Sequence, residues 1–431
     1  MSKTTIIATG DSFMTRRLPE NGYEGFDQIR EILSRYEVRF NNLEITTHNQ
    51  EGVPSAFSGG TWAMAEPEIL DDLKKFGFNL YNTANNHSLD YSHGGLLATI
   101  RHLRERDMLY AGTGKNMADA SSAVYVETAD ARVAMLGVCS TFHDSDMAGN
   151  QSIELSGRPG LNGLRFQKTV HVEKSYYNML AQLSKETHLN ANYERNVQNG
   201  YARPMPEGKL YFDGMYFQLD ERNYITTEPN DKDMARICSA IQEARRQADY
   251  VLVSVHSHEF AGTDPTEPAD FLKSFSHQCI DAGADAIIGH GPHELRGIEI
   301  YRNKPIFYSL GNFIFETDTV RVQPADAYEN VNMPNTTTVG AYISMRNHDG
   351  TTGYIVQENI WRSVMAGFTV EDGGFRQIRL YPIDLHMKKP RSRIGVPSIA
   401  GNDDVLEYLA ELSRPLGTEI RINNHIGIIE F

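Results

Sequence analysis

The sequence has few cysteines and lacks any apolar run long enough to cross a membrane. Three cysteines among 431 residues are too few and too scattered for a disulfide framework, which favours a reducing compartment. The start, MSKTTIIATG, holds only a short apolar run before Gly10, whereas a secretory signal needs a longer run and a spanning helix needs about 20 apolar residues. We therefore expect a soluble, cytoplasmic protein without a membrane segment.

Positive charge is also scarce. Lysine and arginine number 41 against 56 aspartates and glutamates, a formal net charge of -15. Nucleic-acid binding needs a basic face, so a nucleic-acid partner is not expected. An anionic substrate would have to be attracted by a local cation and not by the field of the whole chain. The sequence does not indicate the oligomeric state.

Strand-like and helix-like segments alternate over the first 130 residues and again after residue 230. In the first stretch the predicted strands lie at 5–9, 38–45 and 78–86, and the predicted helices at 26–36, 67–77 and 95–107. In the second stretch the predicted helices lie at 231–247 and 268–282, the predicted strands at 249–259 and 285–293, and a hairpin at 298–313 turning at Arg302-Asn303. This alternation predicts an α/β fold with helices covering the sheet.

Two segments depart from the alternation. The polar, aromatic-rich insertion at 143–228 is interpreted as a lid or specificity element, and equally as a plain surface excursion. Residues 316–431 read as a β-rich C-terminal extension that packs on the catalytic unit at 1–315 and carries no recognisable ligand cluster.

Five predicted strand ends carry groups that can bind a metal ion. They are Asp11, Glu44, Asn86-His87, His256 and the pair His290 and His293. Open α/β sheets place ligand sites outside the carboxyl ends of their strands, so these residues could converge. Any one of them alone is more often a turn, cap or structural residue. In GHGPH, however, two imidazoles flank a bend that can aim both rings inward, and the five together predict a metal site.

These residues lie in blocks that resemble a known family. The blocks are TGDSFMTRR (9–17), NNLEITT (41–47), NTANNHSLDYSHGGL (82–96), VSVHSHE (253–259) and DAGADAIIGHGPHELRGIEIYRNKPIFYSLGNF (281–313). They are similar to the CapA-type (poly-γ-glutamate capsule protein) branch of the calcineurin-like metallophosphoesterases. The resemblance covers about residues 5–315 and implies a four-layer sandwich, two mixed β-sheets flanked by helices.

The resemblance also implies a ligand set for one or two divalent ions. Asp11 and His293 would bind the first metal, Asn86, His256 and His290 the second, and Glu44 would bridge them where the superfamily usually has Asp. Nitrogen and oxygen ligands without thiolates suit Mn, Fe or Zn. Phe13 stands where most of the superfamily has a further histidine, so the first metal would lose a ligand.

Four more residues receive roles around this set. His87 is expected beside the scissile bond as acid or base, and Asp90 is a candidate to orient it, although Asp90 could equally cap a turn. His258 stands where the CapA branch usually has Gly, and we expect it on the substrate side. Arg158, beside Pro159 in the insertion, is a candidate for binding a substrate carboxylate.

The resemblance implies hydrolysis by a metal-bound hydroxide. The substrate would be a small molecule or a peptide or polyglutamate chain, cleaved at a phosphoester or a γ-glutamyl bond. The same parts allow metal-assisted epimerisation, with Asp11, His87 and His293 exchanging a Cα proton. A third interpretation is a non-catalytic protein that binds or assembles a capsule polymer.

Overall fold

The computed structural model describes residues 3–431, and its first part alternates strands and helices as predicted. The strands are β1 (Lys3–Phe13), β2 (Val38–Leu43), β3 (Thr46–Thr47), β4 (Met64–Ala65), β5 (Leu80–Asn82), β6 (Tyr110–Ala111), β7 (Thr113–Gly114), β8 (Val124–Glu127) and β9 (Arg132–Cys139). The helices are α1 (Phe26–Ser34), α2 (Ile69–Lys75), α3 (Ser92–Glu105) and α4 (Met117–Ala120).

The insertion at 143–228 folds into a small unit with its own sheet. Its elements are β10 (Gly160–Leu161), β11 (Phe166–Val172), α5 (Lys174–Thr187), α6 (Ala191–Gln198), β12 (Lys209–Phe212), β13 (Met215–Leu219) and β14 (Tyr224–Pro229). Four of these strands form a sheet in the order β12-β13-β11-β14. The ring of Phe166 stacks on Phe271, 4.3 Å between centroids, which attaches the unit to the α/β stretch that follows.

The rest of the chain begins with the second α/β stretch. The strands are β15 (Tyr250–His256), β16 (Ala286–His290), β17 (Leu295–Tyr301), β18 (Lys304–Leu310), β19 (Asn312–Phe315), β20 (Arg362–Glu371), β21 (Gly374–Asp384), β22 (Ser398–Ile399), β23 (Arg421–Asn423) and β24 (Ile426–Glu430). The helices are α7 (Asp231–Gln247), α8 (Asp270–Ala282), α9 (Ala325–Glu329), α10 (Val339–Arg346) and α11 (Asp404–Ser413). The helix predicted at 231–247 is confirmed at both ends. The predicted hairpin is confirmed too: β17 and β18 pair antiparallel, and Arg302 and Asn303 between them have φ of 51° and 60°, the left-handed backbone of a tight hairpin turn.

Two large mixed sheets form the centre of the fold. The larger runs β23-β24-β21-β20-β1-β2-β5-β6, with β19 beside β1 and β22 beside β21. The smaller runs β17-β18-β16-β15-β9-β8. In both sheets the strands that lead to the predicted ligands are parallel, namely β1, β2 and β5 in one and β15 and β16 in the other.

The alternation of side chains along the strands shows how the layers stack. On β1, Ile6 and Ala8 share a buried cluster with Met135 and Leu252 of the smaller sheet, so the two sheets face each other. Ile7 points the other way and packs with α1 and α2. On β9, Leu136 points outward and packs with α7 and α8. The protein is therefore an α/β fold in which helices cover the outer faces of two mixed sheets.

Residues 316–431 contain both helices and strands. Residues 317–361 form short helices, including 3₁₀ turns at Thr317–Thr319, Gly353–Val356 and Glu358–Trp361, and the strands of this extension lie after residue 361. The strands after residue 361 do not form a layer of their own, because β20 pairs directly with β1 at the centre of the larger sheet. The division of the chain at residue 315 stays a prediction.

Among residues 3–431, no helix combines the length and the apolar character that crossing a bilayer requires.

Candidate metal centre

The carboxyl ends of the parallel strands meet at one place between the sheets. In the larger sheet, Asp11 lies near the end of β1 and Glu44 directly follows β2. In the smaller sheet, His256 ends β15 and His290 ends β16, and the two are partners in the parallel register. His293 follows three residues later. Because the sheets face each other, their strand ends bring carboxylates and imidazoles into one buried cluster.

Asp11 is fully buried at the centre of the cluster. Its Oδ1 lies 3.4 Å from Nδ1 of His290 and 3.6 Å from Nδ1 of His256. Its Oδ2 lies 3.8 Å from Nδ1 of His293. The two oxygens of one carboxylate thus face imidazoles on two sides.

Two asparagines that the sequence analysis did not single out orient this cluster. Asn42 donates from Nδ2 to Oδ1 of Asp11 at 2.7 Å. Asn312 has its Oδ1 2.9 Å from Nδ1 of His293, which favours the tautomer with a proton on that nitrogen and leaves Nε2 free. Groups that orient ligands matter to metal sites nearly as much as the ligands. Both asparagines lie inside the quoted family blocks, which was the one signal available in the sequence.

The GHGPH turn supplies three groups to the same point. Gly291 has φ of 121° and its N–H donates to Oδ2 of Asp11 at 2.9 Å. A Cβ at Gly291 would lie 2.9 Å from the backbone N of Ser257, so the close approach requires glycine. His293 has φ of 64°, a left-handed backbone that non-glycine residues rarely adopt. This turn lets His290 and His293 face the cluster from one short segment.

Glu44 is buried and unpaired. Its exposed fraction is 0%, and neither Oε1 nor Oε2 has a hydrogen-bond partner. Oε1 lies 3.6 Å from Nε2 of His256 and 3.8 Å from Nε2 of His293. The carboxylate therefore faces the ring nitrogens without a bond to either.

His258 lies in the cluster as well. Its Nε2 is 3.1 Å from Nε2 of His256, and its backbone N–H donates to Oγ1 of Thr141 at 2.9 Å. Glu44, His256 and His258 form one of three groups whose potential ligand atoms all lie within 4.8 Å of one another. The geometry allows His258 a ligand position in addition to the substrate-side position expected from the sequence.

Burial shapes the electrostatics of the cluster. Burial and the nearby charge of Asp11 raise the pKa of Glu44 well above its usual range. For Asp11, burial alone would raise the pKa. The interactions of its carboxylate with His256 and His290 together outweigh burial and hold the pKa well below the ordinary value. Burial lowers the pKa of His256 to about 4, and it also lowers the pKa of His258 and His293. Burial thus favours the neutral form of these three imidazoles, which is the form that binds metals.

Asn86 and His87 border the cluster on the side of β5. Oδ1 of Asn86 is buried without a partner, while its Nδ2 donates to the carbonyl of Gly59 at 2.7 Å. Nδ1 of His87 lies 2.7 Å from Oδ2 of Asp90. Asp90 is itself fixed, because the backbone N–H groups of Gly59 and Ala63 donate to it at 2.8 and 2.7 Å. Asp90 therefore both holds His87 and anchors the 59–63 loop.

Phe13 occupies the position at which the resemblance drawn from the sequence implies a missing histidine. Its side chain is fully buried, and its ring contacts that of His87 edge-on, with 5.1 Å between centroids. The position that would bear a ligand thus supplies an apolar wall beside the imidazole.

A cavity of about 210 Å³ opens beside the cluster. It is lined by Phe13, His87 and His293 and by parts of residues 59–61 and 317–357. Among the described residues, Arg346 is the single arginine or lysine that lines it, and Nη2 of Arg346 donates to the carbonyl of Gly60 at 3.0 Å. The contribution of residues 317–357 to this cavity was not expected from the sequence, because no motif distinguishes them.

The insertion at 143–228 does not line this cavity. Arg158 is exposed, and its Nε donates to the carbonyl of Met147 at 3.1 Å. Its role in binding substrate stays a prediction, to which the lining of the cavity adds no support.

The cluster fits a divalent cation. Glu44 and Asn86 together present three buried oxygens without a hydrogen-bond donor, and unsatisfied buried acceptors of this kind are rare in folded proteins. A cation held between the Glu44 carboxylate and the imidazoles that lie within 4.8 Å of it would satisfy the two oxygens of Glu44.

This fold and cluster define an α/β protein with a potential metal centre at the ends of two facing sheets. The family model of the bacterial capsule synthesis protein PGA_cap matches residues 5–317. The chain belongs to that family, which confirms the CapA-type resemblance drawn from the sequence.

Two relatives show how far the similarity extends. The uncharacterized protein y4sH of Sinorhizobium fredii is 35% identical, over 99% of this chain and 92% of the relative. The capsule biosynthesis protein CapA of Bacillus anthracis is 27% identical, over 74% of this chain and 62% of the relative. A solved structure titled GAP50, the anchor in the inner membrane complex of Plasmodium, covers 96% of this chain and 95% of its own at 9% identity, but its TM-score of 0.26 is too low to establish a common fold.

Proposed function

We propose that this protein is a metal-dependent hydrolase of the CapA type, with the buried carboxylate–imidazole cluster as its catalytic centre. The observation that carries the proposal is the Glu44 carboxylate, which is fully buried, has no hydrogen-bond partner, and lies within 3.8 Å of two imidazoles. Burying a carboxylate without partners is costly unless a cation accompanies it. The arrangement is therefore best explained as a metal site.

The residues that would hold one or two divalent ions are Asp11, Glu44, Asn86, His256, His290 and His293. Oε1 of Glu44 lies near the ring nitrogens of both His256 and His293, so Glu44 could share in holding either ion. When bound, such ions lower the pKa of a water molecule and polarise the oxygen of the bond to be broken.

His87 is the proposed proton donor or acceptor. With its Nδ1 held by Asp90 at 2.7 Å, Nε2 is the free ring nitrogen of a residue that lines the cavity. A positioned imidazole of this kind can protonate a leaving group. Phe13 packs against the ring and limits its movement.

The cavity favours a substrate that carries an anionic group next to an apolar part. Arg346 supplies a cation and Asp318 a carboxylate, and Val320, Ile343 and Tyr354 supply apolar surface. A guanidinium binds carboxylates and phosphates through paired hydrogen bonds. We therefore propose that the bond hydrolysed is a γ-glutamyl amide or a phosphoester. Membership of the capsule-synthesis family favours the γ-glutamyl amide.

We also propose that the protein has a calcineurin-like fold. Two facing mixed sheets with helices on both outer faces and ligands at the strand ends are what a calcineurin-like architecture requires. We further propose residues 1–315 as the catalytic unit. Residues 316–431 then form an extension that completes the larger sheet through β20 and covers the site through residues 317–357.

Metal analysis with a substrate screen tests the proposal. Purified wild-type protein should contain about one or two transition-metal ions per chain, and His290→Ala should lose metal and activity together. His425→Ala is the matched control, because that imidazole is largely exposed and pairs with Asp403. Wild-type protein that binds no divalent ion would refute the proposal.

The products of the screen separate the alternatives. Hydrolysis of a phosphoester or γ-glutamyl peptide releases phosphate or a new terminus. A product of unchanged mass with inverted configuration at Cα would show that the reaction is epimerisation and not hydrolysis. Metal binding with polymer retention but no turnover of any substrate would indicate an assembly protein.

A further inference from the structure

One loop concentrates positive charge in a chain of net charge -15. Residues 388–393, KKPRSR, carry four cationic side chains in six positions. Buried Leu385 and Ile394 anchor the loop, and its ends are joined by a hydrogen bond from the N–H of Gly395 to the carbonyl of Leu385 at 2.8 Å. The two ends of the loop are therefore held together, and the four charges are confined to a short segment between them.

A second cavity lies between this basic loop and residues 16–24. Its volume is about 530 Å³, and it shares no lining residue with the cavity beside His87. The cationic side chains that line it are Arg16, Arg17, Lys389 and Arg393. The metal-centre proposal uses none of these residues.

The acidic groups around this cavity do not cancel its positive charge. Glu316 is buried and already accepts from the guanidinium of Arg16 at 2.7 Å. Asp72 is shared by two cations, Arg17 at 2.5 Å and Lys75 at 2.7 Å, so its one negative charge is divided between them. The charges of Glu66 and Glu68 also act on Arg17. Arg393 has no carboxylate within 4.0 Å among the residues that the structure describes.

Glu24 does not neutralise Lys389 effectively. It is 94% exposed and lies 3.7 Å from Nζ of Lys389. An exposed pair at that distance is weak, so Lys389 is available to another anion.

Two buried nitrogens in the cavity wall have no partner. They are Nε of Arg16 and Nε2 of His386. The terminal nitrogens of Arg16 are committed, because Nη1 donates to the carbonyl of Arg391 at 3.0 Å and Nη2 to that of Ile394 at 2.8 Å. The guanidinium is thus locked in place against the cavity with one donor unused, and buried donors normally find an acceptor.

We propose that this cavity is an oxyanion-binding site separate from the metal centre. It would take a carboxylate or phosphate group, held mainly by Arg17, Lys389 and Arg393, with the unused donor of Arg16 in the wall behind. Arginine forks and lysine ammonium groups bind both kinds of oxyanion. In a chain with this net charge, an anion reaches only a place where the local charge is positive.

Calorimetric titration tests the site with two probes, inorganic phosphate and glutarate. Wild-type protein should bind at least one of them in a saturable manner, and the preferred probe tells phosphate from carboxylate recognition. Lys389→Ala and Arg393→Ala should each weaken binding by about tenfold or more, since each removes a charge-assisted hydrogen bond.

Lys388→Ala is the matched control, because Lys388 lies on the same loop and carries the same charge but does not line this cavity. It should change the affinity less than about twofold. His290→Ala, which disrupts the metal centre, should leave anion binding unchanged. Anion binding is therefore tested independently of whether the protein is a metal-dependent hydrolase.

Absence of saturable binding of both probes to the wild-type protein would overturn the proposal. An equal loss in Lys388→Ala and Lys389→Ala would also overturn it, because the effect would then be diffuse charge attraction. Loss of binding in His290→Ala would assign the anion to the metal centre instead.

Discussion

Replacing Glu44 by glutamine should change stability in opposite directions with and without divalent ions. In chelated wild-type protein the Glu44 carboxylate is buried without a partner, and such a group costs about 1–3 kcal/mol. Glutamine is uncharged, and its amide can donate toward the ring nitrogens of His256 and His293, which lie 3.6 and 3.8 Å from Oε1 in the wild type. Chelated Glu44→Gln should therefore be more stable by about 1–3 kcal/mol.

Divalent ions should reverse this order. An ion that binds only the folded protein stabilises it by about 2.7 kcal/mol at a concentration of 100 times Kd. Glu44→Gln loses a charged ligand, so it should gain much less. Urea unfolding of both proteins, in a chelator and in excess Mn²⁺ or Zn²⁺, measures the two differences. Glu207→Gln, at an exposed glutamate, is the control and should behave like wild type in both conditions.

The sign change is the decisive feature. If Glu44→Gln is destabilised equally with and without ions, Glu44 is a structural carboxylate and the reasoning fails. If ions stabilise neither protein, the cluster is not a metal site.

Three further predictions concern other residues. His87→Asn should keep its metal content and lower turnover by about 10²–10⁴; unchanged turnover would contradict its role. Arg346→Ala should raise KM for an anionic substrate by about tenfold or more, and the same measurement on Arg158→Ala, outside the cavity, tests the role predicted for Arg158 from the sequence. Burial would raise the pKa of Asp72, but its hydrogen bonds with Arg17, Lys75 and the backbone N–H of Leu18 together outweigh burial and lower that pKa. Asp72→Asn should therefore destabilise the protein at neutral pH, and the difference should shrink below about pH 4, as followed by unfolding at several pH values.

The local pattern of the sequence predicted the α/β elements well. Apolar periodicity located the helix at 231–247, and the Arg302-Asn303 pair located the hairpin turn, because both depend on neighbours close in sequence. No element was predicted within residues 317–361, where the structure forms short helices. Short helical turns carry too few residues for a clear period, and their conformation depends on what they pack against.

Candidate ligands were also accessible from the sequence. Strand ends marked Asp11, Glu44, His256 and His290, and the resemblance to a family supplied the expectation that they converge. The structure brings them together in one buried cluster, as the expectation required. Their roles in binding metal stay predictions until an ion is measured.

The sequence by itself determined the alternating elements and the residues able to bind a metal, since periodicity and side-chain chemistry are local properties. Only the tertiary structure decided that β20 lies beside β1, that Asn312 holds His293, and that Arg346 rather than Arg158 faces the cavity. These facts depend on strand order and on packing between distant segments. Such pairings are selected by the whole buried surface, and no local pattern of residues encodes them.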